Sequence, residues 1–247
     1  MVEIILDILA RQKLQREQSA ASVESHTVTI DSVSCHGATA LMAAIVGVGP
    51  PIGGAHHLPQ HQVLTIATML LNAGAGLEPR NRRNLNVLDE VCVRGLVDVA
   101  RLFIDRGASV QRPMRGVGPL YWAVVNNHTS TAALLLSHGA DVGGGAAATT
   151  AFSASLLHLA CMKGNVPMVT LLLDHGANPD QRDPTRGDTP LHYAAKNGHL
   201  DVMRLLERRG ADVGIPNRDG ISAAALLGLA AFVGTGVGDK KLITRPP

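Results

Sequence analysis

A Gly-Ala pair returns along this chain at Gly74-Ala75, Gly107-Ala108, Gly139-Ala140, Gly176-Ala177 and Gly210-Ala211, at steps of about 32 to 37 residues, the period of helical repeat arrays. A chain with that period builds short units that bury apolar surface against their neighbours, rather than one globular core. A second landmark opens each unit: Thr189-Pro190-Leu191-His192, Ser155-Leu156-Leu157-His158, Gly118-Pro119-Leu120-Tyr121, Asn86-Val87-Leu88-Asp89 and Thr39-Ala40-Leu41-Met42. Leucine holds the third place in all five. A threonine or serine ahead of a helix caps orphan amide groups, and proline at the first helical position forfeits no hydrogen bond. The leucine is expected to pack inside, and the histidine at the fourth place to be structural.

The rest of each unit fits a helix pair. Ala194-Ala195, Ala160-Cys161 and Ala123-Val124 let first helices approach closely, while Val202-Met203 with Leu205-Leu206, and Val169 with Leu171-Leu172, place apolar stripes on second helices. Gly176 and Gly210 fit left-handed positions that end those helices. Leu171 is taken as an inner leucine whose removal loosens several units.

Residues 189–213, TPLHYAAKNGHLDVMRLLERRGADV, resemble the ankyrin repeat family nearly residue for residue, including Gly198-His199 between the two helices. Residues 155–179 are similar, with Gly164-Asn165 in that place, and residues 87–110 and 119–142 match more loosely. The resemblance covers about residues 37–234. It implies an all-α chain, a solenoid of stacked antiparallel helix pairs joined by β-hairpin-like loops, with about five repeats plus terminal caps. The expected organisation is an N-terminal helical cap or appendage at 1–37 and repeats over 38–213. These lie near 38–79, 84–112, 117–144, 154–182 and 188–216, with an inserted loop at 46–62. A C-terminal capping repeat and tail follow at 217–247.

Composition narrows the partners. The net charge is only +2, and one Trp, two Tyr and three Phe supply no row of stacking platforms, so nucleic acid is not expected. Cys92 and Cys161 fill the small-residue slot of Ala195 and are expected as reduced, buried thiols; Cys35 makes the number odd. The N-terminal stretch places acidic residues within its apolar run and basic ones after it, the reverse of a secretory signal, and residues 221–234 are too few to span a bilayer. The expectation is a monomer without membrane attachment, in the cytoplasm or nucleus, needing no cofactor.

Two segments break the frame. Residues 46–62, with His56, His57 and His61 among glycines and prolines, are expected to leave the stack as a loop. Pro59 disfavours a helical two-histidine site and no cysteine completes one, so no metal is assigned. Gly47, Gly49 and Gly53 miss the nucleotide-loop spacing, and no lysine follows. Residues 143–150, glycine, alanine and threonine, read as a hairpin tip without chemistry.

In the family that this chain resembles, hairpin tips and the exposed face of the first helices form the binding groove. Those positions carry Arg82, Arg83, Arg112, Arg115 and Arg186 at tips, with Arg94, Asn126, Lys163, Lys196 and Asn197 on first helices. Arginine donates paired hydrogen bonds to carboxylates, so the expected partner is a protein, with an acidic surface as the specific version. The competing reading is an enzyme on the same scaffold, with Asp89, Glu90, Tyr121 and His158 as a polar column for acid–base chemistry on a small molecule.

Overall fold

The computed structural model describes residues 39–46, 60–111, 117–143 and 154–226. The N-terminal appendage, Cys35, His56, His57, Arg112, Arg115, most of the 143–150 tip and the tail beyond residue 226 lie outside the described residues. Helices within the described residues follow in order: α1 (Ala40–Val46), α2 (Gln60–Asn72), α3 (Val87–Arg94), α4 (Val97–Asp105), α5 (Pro119–Val125), α6 (Thr129–Ser137), α7 (Leu156–Lys163), α8 (Val166–Asp174), α9 (Pro190–Lys196) and α10 (Leu200–Arg208). Among the described residues there is no strand, only an isolated antiparallel bridge between Pro216 and Ser222. No helix among them is long and apolar enough to cross a membrane. The helices fall into two compact units, one holding α1–α4 with residues 130–139, the other holding α5 and α7–α10.

First helices of seven or eight residues are too short to persist alone in water. Their ends are therefore specified chemically. Asn86, Gly118, Ser155 and Thr189 hold extended backbone before α3, α5, α7 and α9, and Pro119 and Pro190 take the first turn. The recurring Gly-Ala pair closes each second helix. Its glycine lies in the left-handed region, at φ 90° in Gly107, 88° in Gly176 and 88° in Gly210. That turn sends the alanine N–H back to the carbonyl five residues earlier: Ala108 to Phe103 at 2.9 Å, Ala177 to Leu172 and Ala211 to Leu206 at 3.0 Å.

In the first unit, α1 packs on α2 and α3, and α4 packs on α2 and α3. Leu41, Ile45, Leu70, Leu88, Val91, Val99 and Phe103 fill the interior. Buried Val63, Ile66, Ala67 and Leu70 continue a helical stripe back to Gln60. Gln60, His61 and Gln62 thus form the first turn of α2, and the insert ends earlier than its composition indicates. In the second unit, α7 packs on α5, α8 and α9, and α9 and α8 pack on α10. The buried leucine of α8 is Leu172, whereas Leu171 is only half-buried. Met168, Val169 and Leu172 set the inward stripe at i, i+1 and i+4, which turns residue 171 aside.

Gly164, which ends α7 at φ 70°, meets a second constraint across the helix pairs. A methyl group there would fall 2.5 Å from His199 Nδ1 and 2.8 Å from its Cγ. That ring is held by Nε2 against Met162 O at 3.0 Å. Gly198 has a similar φ of 73° but open space around it. Gly198→Ala is therefore expected to cost about 1 kcal/mol, the backbone term alone. Gly164→Ala should cost roughly 2–3 kcal/mol because the His199 ring must also move. Urea unfolding of both variants measures the difference; equal losses would remove the steric contribution.

Candidate functional site

The fourth position of each first helix, singled out from the sequence, is occupied by Met42, Asp89, Tyr121, His158 and His192. Both histidines are fully buried. His158 Nδ1 accepts the Ser155 N–H at 3.2 Å and sits 2.7 Å from Ser155 Oγ. Nδ1 accepting leaves the proton on Nε2, which donates to Asp188 O at 3.0 Å, thirty residues on. His192 repeats the arrangement: Nδ1 accepts Thr189 N–H at 3.1 Å, and Nε2 donates to Ile221 O at 2.9 Å. Each ring caps its own helix and ties it to the following turn. Burial lowers the His158 pKa, against the raising effect of its bond to Asp188 O, and so favours neutral imidazole.

Asp89 performs the same cap with a carboxylate. Its Oδ2 accepts Asn86 N–H at 3.1 Å while Asn86 Oδ1 accepts Asp89 N–H at 2.9 Å. Glu90 is also buried and receives Arg94 through Nε at 3.3 Å and Nη2 at 3.2 Å. Tyr121 is half-buried and meets Trp122 edge-on, ring centres 5.2 Å apart. Asp89 and Glu90 belong to one compact unit, Tyr121 and His158 to the other. Both ring nitrogens of His158 are engaged in bonds of the fold. Cys92 and Cys161 are buried free thiols, their pKa values pushed up by burial.

The tips are organised by asparagine and aspartate side chains. Asn81, Asp183 and Asn217 each gather the backbone of a turn on one side-chain oxygen. Asn81 Oδ1 accepts from Arg83 and Leu85, and Asn217 Oδ1 from Asp219 and Ile221. Asp183 Oδ1 accepts from Thr185, Arg186 and Gly187 N–H, while its Oδ2 takes the Tyr193 hydroxyl at 3.0 Å. Burial raises the Asp183 pKa, but these donors outweigh it and hold the carboxyl below its ordinary value. Burial and the Asp183 bond push Tyr193 up to about 12. The signal was present as Asx followed two to four residues later by turn formers.

Several tip and helix cations are engaged within the fold. Arg80 Nη1 reaches Asn84 O at 2.8 Å, Arg182 Nη2 reaches Pro216 O at 2.8 Å, and Arg218 Nη1 reaches Thr185 O at 2.8 Å. Arg94 is paired with Glu90, and Lys196 is paired with Asp188, which also accepts Asn217 Nδ2 at 2.9 Å. Asn126 and Asn197 close their helices by donating to Trp122 O at 2.8 Å and Tyr193 O at 2.7 Å. Arg82, Arg83, Lys163 and Arg186 have exposed side chains. Within the second unit, Trp122, Leu159 and Tyr193 occupy the place after the fourth-position residue on α5, α7 and α9, and Trp122, Met162 and Tyr193 remain partly exposed. Tyr193 lies edge-on to His158 at 5.0 Å, so one face of this row rests on the buried imidazole.

The capping geometry, the left-handed Gly-Ala closure and the hairpin tips coincide with a known pattern. Residues 143–217 match a family model for three copies of ankyrin repeats, and residues 115–144 match the single ankyrin repeat model. Residues 115–217 of the chain are ankyrin repeats.

Similar ankyrin repeat sequences come from distant sources. A putative ankyrin repeat protein, FPV240, of fowlpox virus is 34% identical over 51% of this chain and 30% of its own length. The mouse B-cell lymphoma 3 protein homolog is 33% identical over 55% of this chain and 30% of its own. The mouse protein phosphatase 1 regulatory subunit 27 is 47% identical over 26% and 41% respectively. The chain thus spans less than half the length of these relatives. Ankyrin repeats mediate protein–protein interaction, and the names of these relatives include a regulatory subunit.

The cap-bonding histidine of the ankyrin unit is open to measurement. His158→Ala removes the acceptor for the Ser155 amide and the donor to Asp188 O, two buried bonds worth roughly 1–1.5 kcal/mol each plus lost packing. The expected loss at pH 7.5 is about 2–4 kcal/mol in urea unfolding. Because the folded-state pKa of His158 is depressed, its contribution is present above pH 6.5 and declines as pH falls through the folded value. The gap between wild type and variant should therefore narrow on acidification; a gap that widens would contradict a neutral bonded imidazole.

Proposed function

We propose that this ankyrin repeat protein is a non-enzymatic interaction module, and that the α5, α7 and α9 face of its second unit takes a protein segment carrying apolar and acidic side chains. The observation that carries the reading is the division of labour along these helices. Their cap-bonding positions are consumed by the fold, at His158 and His192, while the positions beside them present Trp122, Met162 and Tyr193 with exposed Lys163 and Arg186. Partly exposed aromatics supply contact area at low entropic cost, and rim cations add attraction that salt weakens. Lys196 contributes less to that attraction because Asp188 already pairs with it.

Lys163→Glu with Arg186→Glu tests the acidic version. Each reversed rim charge should cost about 0.5–1 kcal/mol, so captured partners should be lost or bind roughly tenfold more weakly at low salt. The difference should shrink as salt rises. If the folded double variant keeps every partner at wild-type affinity across the salt series, the acidic version is wrong.

A further inference from the structure

Asp89 stands where α7 and α9 carry histidine, and the substitution leaves one atom unserved. In the histidine units, one ring nitrogen accepts the cap N–H and the other donates a proton to a carbonyl. Asp89 Oδ2 takes over the accepting role at Asn86, but Oδ1 is buried with no hydrogen-bond partner among the described residues. Its side chain is 2% exposed, and its ion pair is Arg80 Nη1, 3.4 Å from Oδ2 and 30% exposed. A carboxylate presents acceptors only, whereas a carboxylic acid pairs one acceptor with one donor, the pattern of neutral imidazole.

The surroundings supply little else to balance a charge. α1, which packs on α3, carries no ionisable side chain. α4 turns Val99, Ala100 and Phe103 inward and leaves Asp98, Arg101 and Asp105 exposed. On α3 itself, Glu90 is matched by Arg94, and Cys92 is a buried thiol. In the preceding linker, Glu78 repels the carboxylate and Arg80 attracts it. Ionising Asp89 therefore buries a charge with one oxygen unpaired, which is among the costlier arrangements a core can hold.

We propose that Asp89 is a proton-controlled latch: the α3–α4 helix pair is firm when the carboxyl carries its proton and loosens when the proton leaves. Burial raises the group from 3.8 to about 6, against the lowering effects of Asn86 and Arg80. The stabilisation belongs to the protonated form. It is complete below the unfolded value near 3.8 and is lost as pH rises through about 6, with a limiting change of roughly a hundredfold in the opening equilibrium. The Asp89 charge also adds to burial in raising the Cys92 thiol, so loss of the proton does not make that cysteine a nucleophile while the helix stays closed.

Hydrogen exchange of the α3 and α4 amides in the full chain, corrected for intrinsic rates, reads the latch directly. From pH 4 to 7.5 the wild-type opening constants should rise by several tens of fold, and in Asp89→Asn they should stay nearly level. Parallel profiles in the two proteins would overturn the proposal. Should Asp89→Asn fail to fold, a carbon-13 titration of the Asp89 carboxyl in the native chain decides: a midpoint near 6 is expected, and one at or below 4 overturns it.

Discussion

The two clearest repeats of this fold each rest on one side chain that bonds in two directions. At His158 and His192 the imidazole accepts the amide that opens its own helix and donates to a carbonyl of the following turn. Without the first bond, a seven- or eight-residue helix has unsatisfied donors at its start; without the second, it is not registered against its neighbour. The hairpin tips add a second layer of the same kind. Asp183 and Asn217 fold their turns, and Arg182 and Arg218 tie one turn to the next by donating to Pro216 O and Thr185 O. Apolar burial supplies the driving force, and these buried polar bonds specify where each unit sits.

Because the bonding position accepts either a base or an acid, burial shifts His158 and Asp89 in opposite senses. His158 is held neutral by burial, so acid works against its unit. Asp89 is held towards its neutral form by the same burial, so alkali works against the other. The physical cause is common to both: a low-dielectric site penalises whichever form carries charge. A single chemical substitution at one recurring position is enough to reverse the sign.

Much of this was legible in the sequence because it is local. The Gly-Ala closure, the proline at the helix start, the buried third-place leucine and the capping residue all act within five residues of one another. The histidine was legible as structural, though not its second bond, which spans about thirty residues. The same limit governs the candidate surface. Lys163 and Lys196 both stand at the exit of a first helix, one place apart in the repeat frame, yet of the two only Lys196 pairs with a carboxylate, Asp188. Leu171 and Leu172 likewise differ by a 100° turn that an apolar doublet does not disclose. The start of α2 at Gln60 was hidden because glycine and proline before it dominate the local composition.

The central claim, that the recurring histidines are bonded members of the scaffold rather than free reactive groups, is tested most directly by nitrogen-15 NMR of the His158 and His192 rings at neutral pH. His158 is predicted to be neutral, and both rings to donate from Nε2 and accept at Nδ1, before and after a partner binds. A ring found protonated on Nδ1, or exchanging freely between tautomers as imidazole does in water, would contradict the account.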